Sequence, residues 1–332
     1  MPIFTLRHVT TYHYKRPVAF GEHRMMLRPR DDEDQKVLES ELEITPGPSE
    51  LSWTRDAFGN HVTTARFENR ASELRFESTI RLDHTPAGFG EADIEEFART
   101  YPFAYGADER IGPVRFVAPL SPCPALDHWA ASFLRPDGSA DTRDLLVDMT
   151  QAIHRTFKHV PRHDKGIQDP VQTLLLRSGS CRDFAVLMMA ALRSLGFATR
   201  FVSGYLHLAD DGDGLITGGN THAWVQVYVP GPGWVDFDPS SGRVGNQDLV
   251  RVAVVQEPRE AIPLQGTWVG AASDHLAMKV AVQVIAEADV PAWVDERPAT
   301  IAVAPRAVVT RRRKLFKARA RVATGTDMYD KS

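Results

Sequence analysis

The sequence predicts an α+β fold: an antiparallel β domain, a helical connecting segment, and a core in which one buried helix packs on a small antiparallel sheet. Three observations predict it. Short stretches of period-two alternation, such as ELRFESTIRL, fill the chain from Phe4 to about His84. Beyond residue 90 the apolar period lengthens to about 3.6, as in DTRDLLVDMTQAIHRTFKH. An apolar helix from Ser180 to Leu195 is then followed by three strand-like runs, ATRFVSGYL, HAWVQVYV and WVDFD.

The first strands are separated by turn clusters such as ITPGPSE and DAFGNH, the pattern of an antiparallel sheet with one buried face. This part, residues 1–90, reads as an N-terminal β domain. The stretch GFGEADIEEFART predicts a short helix, and a Pro-rich run leads through PLSPCPALDHWAASFLR to the longer helical pattern, so residues 91–144 form the helical connecting segment. The core spans 145–290 and takes in two further strands, LVRVAVVQ and LAMKVAVQVI. Residues 291–332 are a basic tail, in which Arg306, Arg311, Arg312, Arg313, Lys314, Lys317, Arg319 and Arg321 are unrelieved by any acid.

With 332 residues, 43% hydrophobic and 25% charged, the composition is that of an ordinary globular protein. The opening MPIFTLRHVTTYHYKRPV lacks an apolar leader region, and no run approaches the roughly 20 apolar residues of a membrane span. A cytoplasmic location and no membrane partner are expected. The two cysteines, Cys123 and Cys181, are too few for a disulfide framework and read as free thiols. The basic tail could meet nucleic acid, but a solvated chain end is the commoner meaning, and the acidic body argues against nucleic acid as the main partner.

Chemistry concentrates in the core. Ser180 and Asp183 have capping-box spacing, which places Cys181 in the first turn of its helix with Gly196 as the C-terminal stop. A helix N-terminus favours the thiolate and offers N–H groups to a developing oxyanion. A lone cysteine in an apolar helix is most often a small core residue; its company decides otherwise. In HAWVQVYV, His222, Trp224, Gln226 and Tyr228 share one face, and in WVDFD so do Trp234, Asp236 and Asp238. His222 and Asp238 share a face only if the loop between these strands has three or five residues or carries a bulge. If Trp224 faces Asp238, His222 lies one diagonal step away, roughly 7–8 Å, which side chains can bridge. Asp236 would lie farther along, so Asp238 is the better partner to fix the imidazole tautomer in a Cys-His-Asp triad.

The blocks SGSCRDFAVLMMAALRSLGFATRFVSGYL, NTHAWVQVYV and GWVDFDPSSG resemble, in order, the three signature blocks of the transglutaminase-like superfamily, and IFTLRHVTTYHYKRPV with MMLRPRDD resembles the β domain that precedes this core in bacterial members. The resemblance implies a papain-like or transglutaminase-like core with Cys181 as nucleophile, His222 as base and Asp238 as the residue that orients it. It implies acyl transfer or hydrolysis at a peptide or carboxamide bond, without a cofactor, on a peptide or protein carrying an amide bond or glutamine side chain, and as a peptidase or amidase rather than a crosslinking enzyme. Many relatives have an acid where this chain has Gln226, and DPT where it has Asp238-Pro239-Ser240. No motif assigns a side-chain donor to the oxyanion.

Other readings compete. His154, His159 and His163 could join a metal site, but i, i+5, i+9 spacing does not put them on one helical face, and no CxxC or HExxH pattern exists. Asp210, Asp211, Asp213 and Gly214 resemble a calcium loop without its terminal Glu and read as a polar turn. A catalytically silent binding module on the same fold is the non-enzyme alternative. Cys123, followed by Pro124 and without a His block, reads as a structural thiol.

Overall fold

The computed structural model describes residues 2–106, 116–117, 123–160, 166–208 and 220–287. The calcium-like run at 210–214, His163 and the basic tail lie outside the described residues.

Five strands open the chain: β1 (Ile3–Met25), β2 (Gln35–Thr45), β3 (Glu50–Arg55), β4 (His61–Arg66) and β5 (Arg70–His84). They lie in the order β2-β5-β1-β4-β3. Alternation does what period two requires: Phe4, Leu6, His8, Thr10, Tyr12 and Tyr14 of β1 are buried, as are Leu74, Phe76, Ser78, Ile80 and Leu82 of β5. The segment expected as a short helix forms two 3-10 turns instead, Glu91–Asp93 and Glu96–Ala98. Its ladder is interrupted because Ile94 is extended and Glu95 N–H donates to Pro230 O (3.0 Å) rather than within a helix.

The connecting segment supplies β6 (Thr100–Tyr101), α1 (Pro124–Ala131) and β7 (Ala140–Asp141), which pairs with β6. Next comes α2 (Thr142–Thr156), N-capped by Asp141, whose carboxylate accepts from Asp144 N–H at 2.9 Å; it buries Leu145, Leu146, Met149 and Ile153. This helix ends at Thr156, short of its expected extent, and Lys158–His159 form β8. No sequence expectation covered α3 (Pro170–Leu176), a seven-residue helix capped by Asp169. After β9 (Ser178–Gly179), paired in parallel with β8, α4 runs from Cys181 to Ser194. It stops as expected: Gly196 has φ +88°, and Phe197 N–H closes on Leu192 O at 2.9 Å.

The core sheet has the order β13-β12-β11-β10-β14, built from β10 (Thr199–Leu206), β11 (Asn220–Val229), β12 (Gly233–Asp238), β13 (Arg243–Val244) and β14 (Leu249–Val255). α4 packs on β10 and β11, burying Phe184, Leu187, Met188, Ala191 and Leu192 against Val225, Val227 and Phe237.

Two further strands, β15 (Leu264–Val269) and β16 (His275–Ala286), both pair with β1. The sequence reading grouped the 276–285 strand with the core; its ladder, from Phe4↔Ala286 to Tyr14↔His275, puts it in the first sheet. Period two identifies a strand and leaves its partner undetermined.

The β domain seats directly on the free edge of β14. Gln35 Nε2 donates to Arg251 O (2.8 Å) and its Oε1 accepts Arg251 N–H (3.0 Å); Asn60 does the same to Val254 O and N–H, both at 2.9 Å. Two side-chain amides thus satisfy backbone groups that an edge strand would leave unpaired. Among the described residues no helix is long and apolar enough to cross a membrane.

Candidate active site

Cys181 is the first residue of α4, half-buried and free. The capping box that fixes it is complete. Ser180 Oγ accepts Asp183 N–H (3.5 Å), and Asp183 Oδ2 accepts both the N–H and the hydroxyl of Ser180 at 2.9 Å. Asp183 Oδ1 also takes Gln168 N–H at 2.7 Å, tying the helix start to the loop before α3. Gly179 is required by close approach, since a Cβ there would stand 2.9 Å from Asp183 Cβ.

His222 enters on β11 opposite Gly204 of β10, and Asp238 closes β12. The hairpin ladder ends with Val229↔Gly233, so its loop is Pro230-Gly231-Pro232, three residues. Gln226↔Asp236 then puts Trp224 across from Asp238 and His222 on the diagonal. His222 Nε2 lies 2.8 Å from Asp238 Oδ2, which leaves Nδ1 for the thiol. The imidazole stacks on Trp224, with ring centroids 6.1 Å apart.

Asp238 is fully buried and accepts more than the imidazole. Oδ1 takes Ser240 N–H (3.0 Å) and Ser240 Oγ–H (2.8 Å), and Oδ2 takes the Ser241 hydroxyl. These serines were not among the expected site residues. A DPSS run after a strand was the available signal, because hydroxyls two and three residues past an Asp can return to its carboxylate. Asp236, the rejected acid, accepts Trp224 Nε1–H (2.6 Å) and Arg251 (3.0 Å), which locks the indole under His222.

The electrostatics follow. Burial pushes the Asp238 carboxyl up, but the His222 charge and the hydrogen bonds from His222, Ser241 and Ser240 outweigh it and hold it well below the usual range. Burial opposes the imidazolium of His222, yet Asp238 and Cys181 raise it to about 10. Burial likewise raises the Cys181 thiol; His222, His159 and Arg182 more than reverse this and bring it to about 6. Between those values the site holds a thiolate–imidazolium pair.

Two models describe what this chain is similar to. Residues 4–83 match the bacterial transglutaminase-like N-terminal region, and residues 131–239 match the transglutaminase-like superfamily core. The chain belongs to the transglutaminase-like superfamily. An uncharacterized Mycobacterium tuberculosis protein, Rv2569c, is 28% identical over 304 residues, covering 85% of this chain and 92% of the relative. An uncharacterized Mycobacterium leprae protein, ML0607, is 25% identical over 276 residues, covering 83% and 96%. A Cytophaga hutchinsonii structure designated a candidate cysteine protease superposes with TM-score 0.65 at 20% identity, covering 86% of this chain and 91% of that one, which establishes a shared fold.

Within the transglutaminase-like core the remaining expectations can be placed. Among the described residues no group of three or more His, Cys, Asp or Glu is arranged to hold a metal. His154 Nδ1 sits on Ser240 O at 2.9 Å, whereas His159 lies on β8, where the Cys181 thiol raises its imidazole above the ordinary value. Cys123 is the N-cap residue of α1 and packs against the core.

Proposed function

We propose that this transglutaminase-like chain is a cysteine-dependent enzyme acting at a peptide or carboxamide bond, with hydrolysis put ahead of crosslinking. The observation that carries the reading is the buried His222–Asp238 pair, 2.8 Å apart, set against a half-buried thiol in the first turn of a helix. The designation of the Cytophaga protein as a candidate cysteine protease is the reason hydrolysis comes first.

In this reading the Cys181 thiolate attacks the carbonyl carbon, the C–S bond forms, and the C=O π pair moves to oxygen. The backbone N–H of Cys181, at the N-terminus of α4, receives that charge. His222 passes its proton to the leaving nitrogen as the C–N bond breaks, leaving a thioester and a free amine or ammonia. His222 then takes a proton from water, the new C–O bond forms, and sulfur departs as thiolate with the acid as product. An amine in place of water gives transamidation by the same steps. Asp238 keeps Nδ1 aimed at sulfur and stabilises the imidazolium.

Peptide mass spectrometry after iodoacetamide treatment tests the nucleophile, with labelling of Cys181 expected well below pH 8.5 and slowed in His222→Ala. Incubation of glutamine-containing peptides with a biotinylated amine tests the acceptor, with chain cleavage or ammonia release and no biotin transfer expected. In Cys181→Ala turnover falls by about 10⁴-fold or more. Biotin transfer would replace hydrolysis with crosslinking; an inert Cys181 in the folded protein would leave a binding module.

A further inference from the structure

Cys181 has a second imidazole neighbour. Where α2 ends, Phe157 becomes extended (φ −109°, ψ 140°), and His159 then pairs with Gly179 in the parallel β8–β9 ladder. Val160 N–H closes the ladder on Gly179 O at 2.9 Å. His159 is therefore anchored to the backbone two residues ahead of the nucleophile. Its ring stands edge-on to Phe184 of α4, centroids 6.1 Å apart, three residues beyond Cys181 on the same helix, and the imidazole and the thiol shift one another, the imidazole up and the thiol down. His222 acts on the same thiol from the core sheet but is buried and committed to Asp238, whereas His159 is exposed.

We propose that His159 is a further catalytic residue, whose imidazole N–H holds the Cys181 thiolate in the resting site and moves to the carbonyl oxygen as negative charge passes from sulfur to oxygen. The proposal rests on the thiol-enzyme reading above. A donor serving the thiolate alone would stabilise the ground state and blunt the nucleophile. The donor accelerates attack only if its bond strengthens in the transition state, and in the tetrahedral intermediate the oxyanion and the sulfur are bonded to the same carbon. The β8–β9 ladder holds His159 on the helix N-terminus, where the backbone N–H of Cys181 receives the same oxygen. The other charged groups acting at this point are His222 and Asp238 from the core sheet and Arg182 from α4.

Two reagents separate the roles in the full-length protein. Iodoacetamide alkylates sulfur by displacing iodide from a saturated carbon, with no oxyanion; p-nitrophenyl acetate acylates it through one. Both rates are measured against pH in wild type, His159→Phe, and His159→Asn and His159→Gln, whose amides place an N–H near either ring nitrogen. In His159→Phe the pH limb moves above the wild-type value for both reagents, and the acylation plateau falls on the order of 10²-fold relative to the alkylation plateau. One of the amide variants recovers part of that loss. An acylation-to-alkylation ratio unchanged in His159→Phe overturns the proposal, whether or not the limb moves. If wild-type Cys181 reacts with neither reagent faster than Cys123 at pH 7, the thiol-enzyme reading itself fails, and this inference with it.

Discussion

Asp238→Asn probes the site most sharply, because the carboxylate is surrounded by donors: the His222 ring, Ser240 N–H and the hydroxyls of Ser240 and Ser241. An amide offers one oxygen and an NH2. Keeping that oxygen on Ser240 leaves NH2 facing His222, which must then accept at Nε2 and carry its proton on Nδ1, toward the thiol. In that tautomer His222 cannot take the thiol proton, and turnover falls about 10⁴-fold by the logic of other triads. Thiol ionisation moves too. With the thiol at about 6, roughly 90% is thiolate at pH 7; in the limit of a full return to 9.0, which His159 and Arg182 still oppose, roughly 1% is. A more basic thiolate is a better nucleophile, by about 20-fold over that range. In that limit iodoacetamide labelling slows by at most about 4-fold at pH 7 and about 40-fold at pH 5, and at pH 9 the variant reacts faster than wild type. Profiles that cross are the signature, read by peptide mass spectrometry from pH 5 to 10 with circular dichroism as the check on folding. A labelling limb still near pH 6 in Asp238→Asn would refute the electrostatic account of Cys181.

Gly179→Ala forces a Cβ against Asp183, so the capping box shifts; a loss of about 1–3 kcal/mol in urea unfolding and slower Cys181 labelling are expected, and wild-type values for both would sink the argument. Asn60→Ala leaves the N–H and C=O of Val254 unpaired at the domain seam, which costs about 1–3 kcal/mol in the same assay; a neutral result would mean that water replaces the amide there. His8 and His23 are buried and held neutral, both lowered to about 4, His8 by burial and His23 by burial against the hydrogen bond that its Nδ1–H donates to Gly21 O. Their contribution is fully present above pH 6.5 and is lost as pH falls toward 4, because the unfolded chain takes the proton first; about 3 kcal/mol each is at stake, and a urea midpoint unchanged between pH 7 and 4.5 would contradict it.

What the sequence by itself determined is local. Ser180 and Asp183, three residues apart before an apolar run, specify where α4 starts and hence that Cys181 sits at its N-terminus. A period of two favoured Asp238 over Asp236 as the neighbour of His222 on condition of an odd-numbered loop or a bulge, a condition that only the folded hairpin, with its Pro230-Gly231-Pro232 loop, meets. These features follow from backbone geometry acting over a few residues, so they can be read along the chain. Tertiary structure alone decided the rest. β15 and β16 join β1, because a period-two pattern does not name its partner. Gln35 and Asn60 dress the edge of β14 from a distance of about two hundred residues in sequence, and nothing in their own neighbourhoods marks them. Along the sequence His159 continues a helical pattern on which it shares no face with His154; α2 stops at Thr156, and pairing with Gly179 carries the imidazole to Cys181. Contacts closed across long loops depend on which surfaces the whole chain buries together, and that is the information a local pattern does not contain.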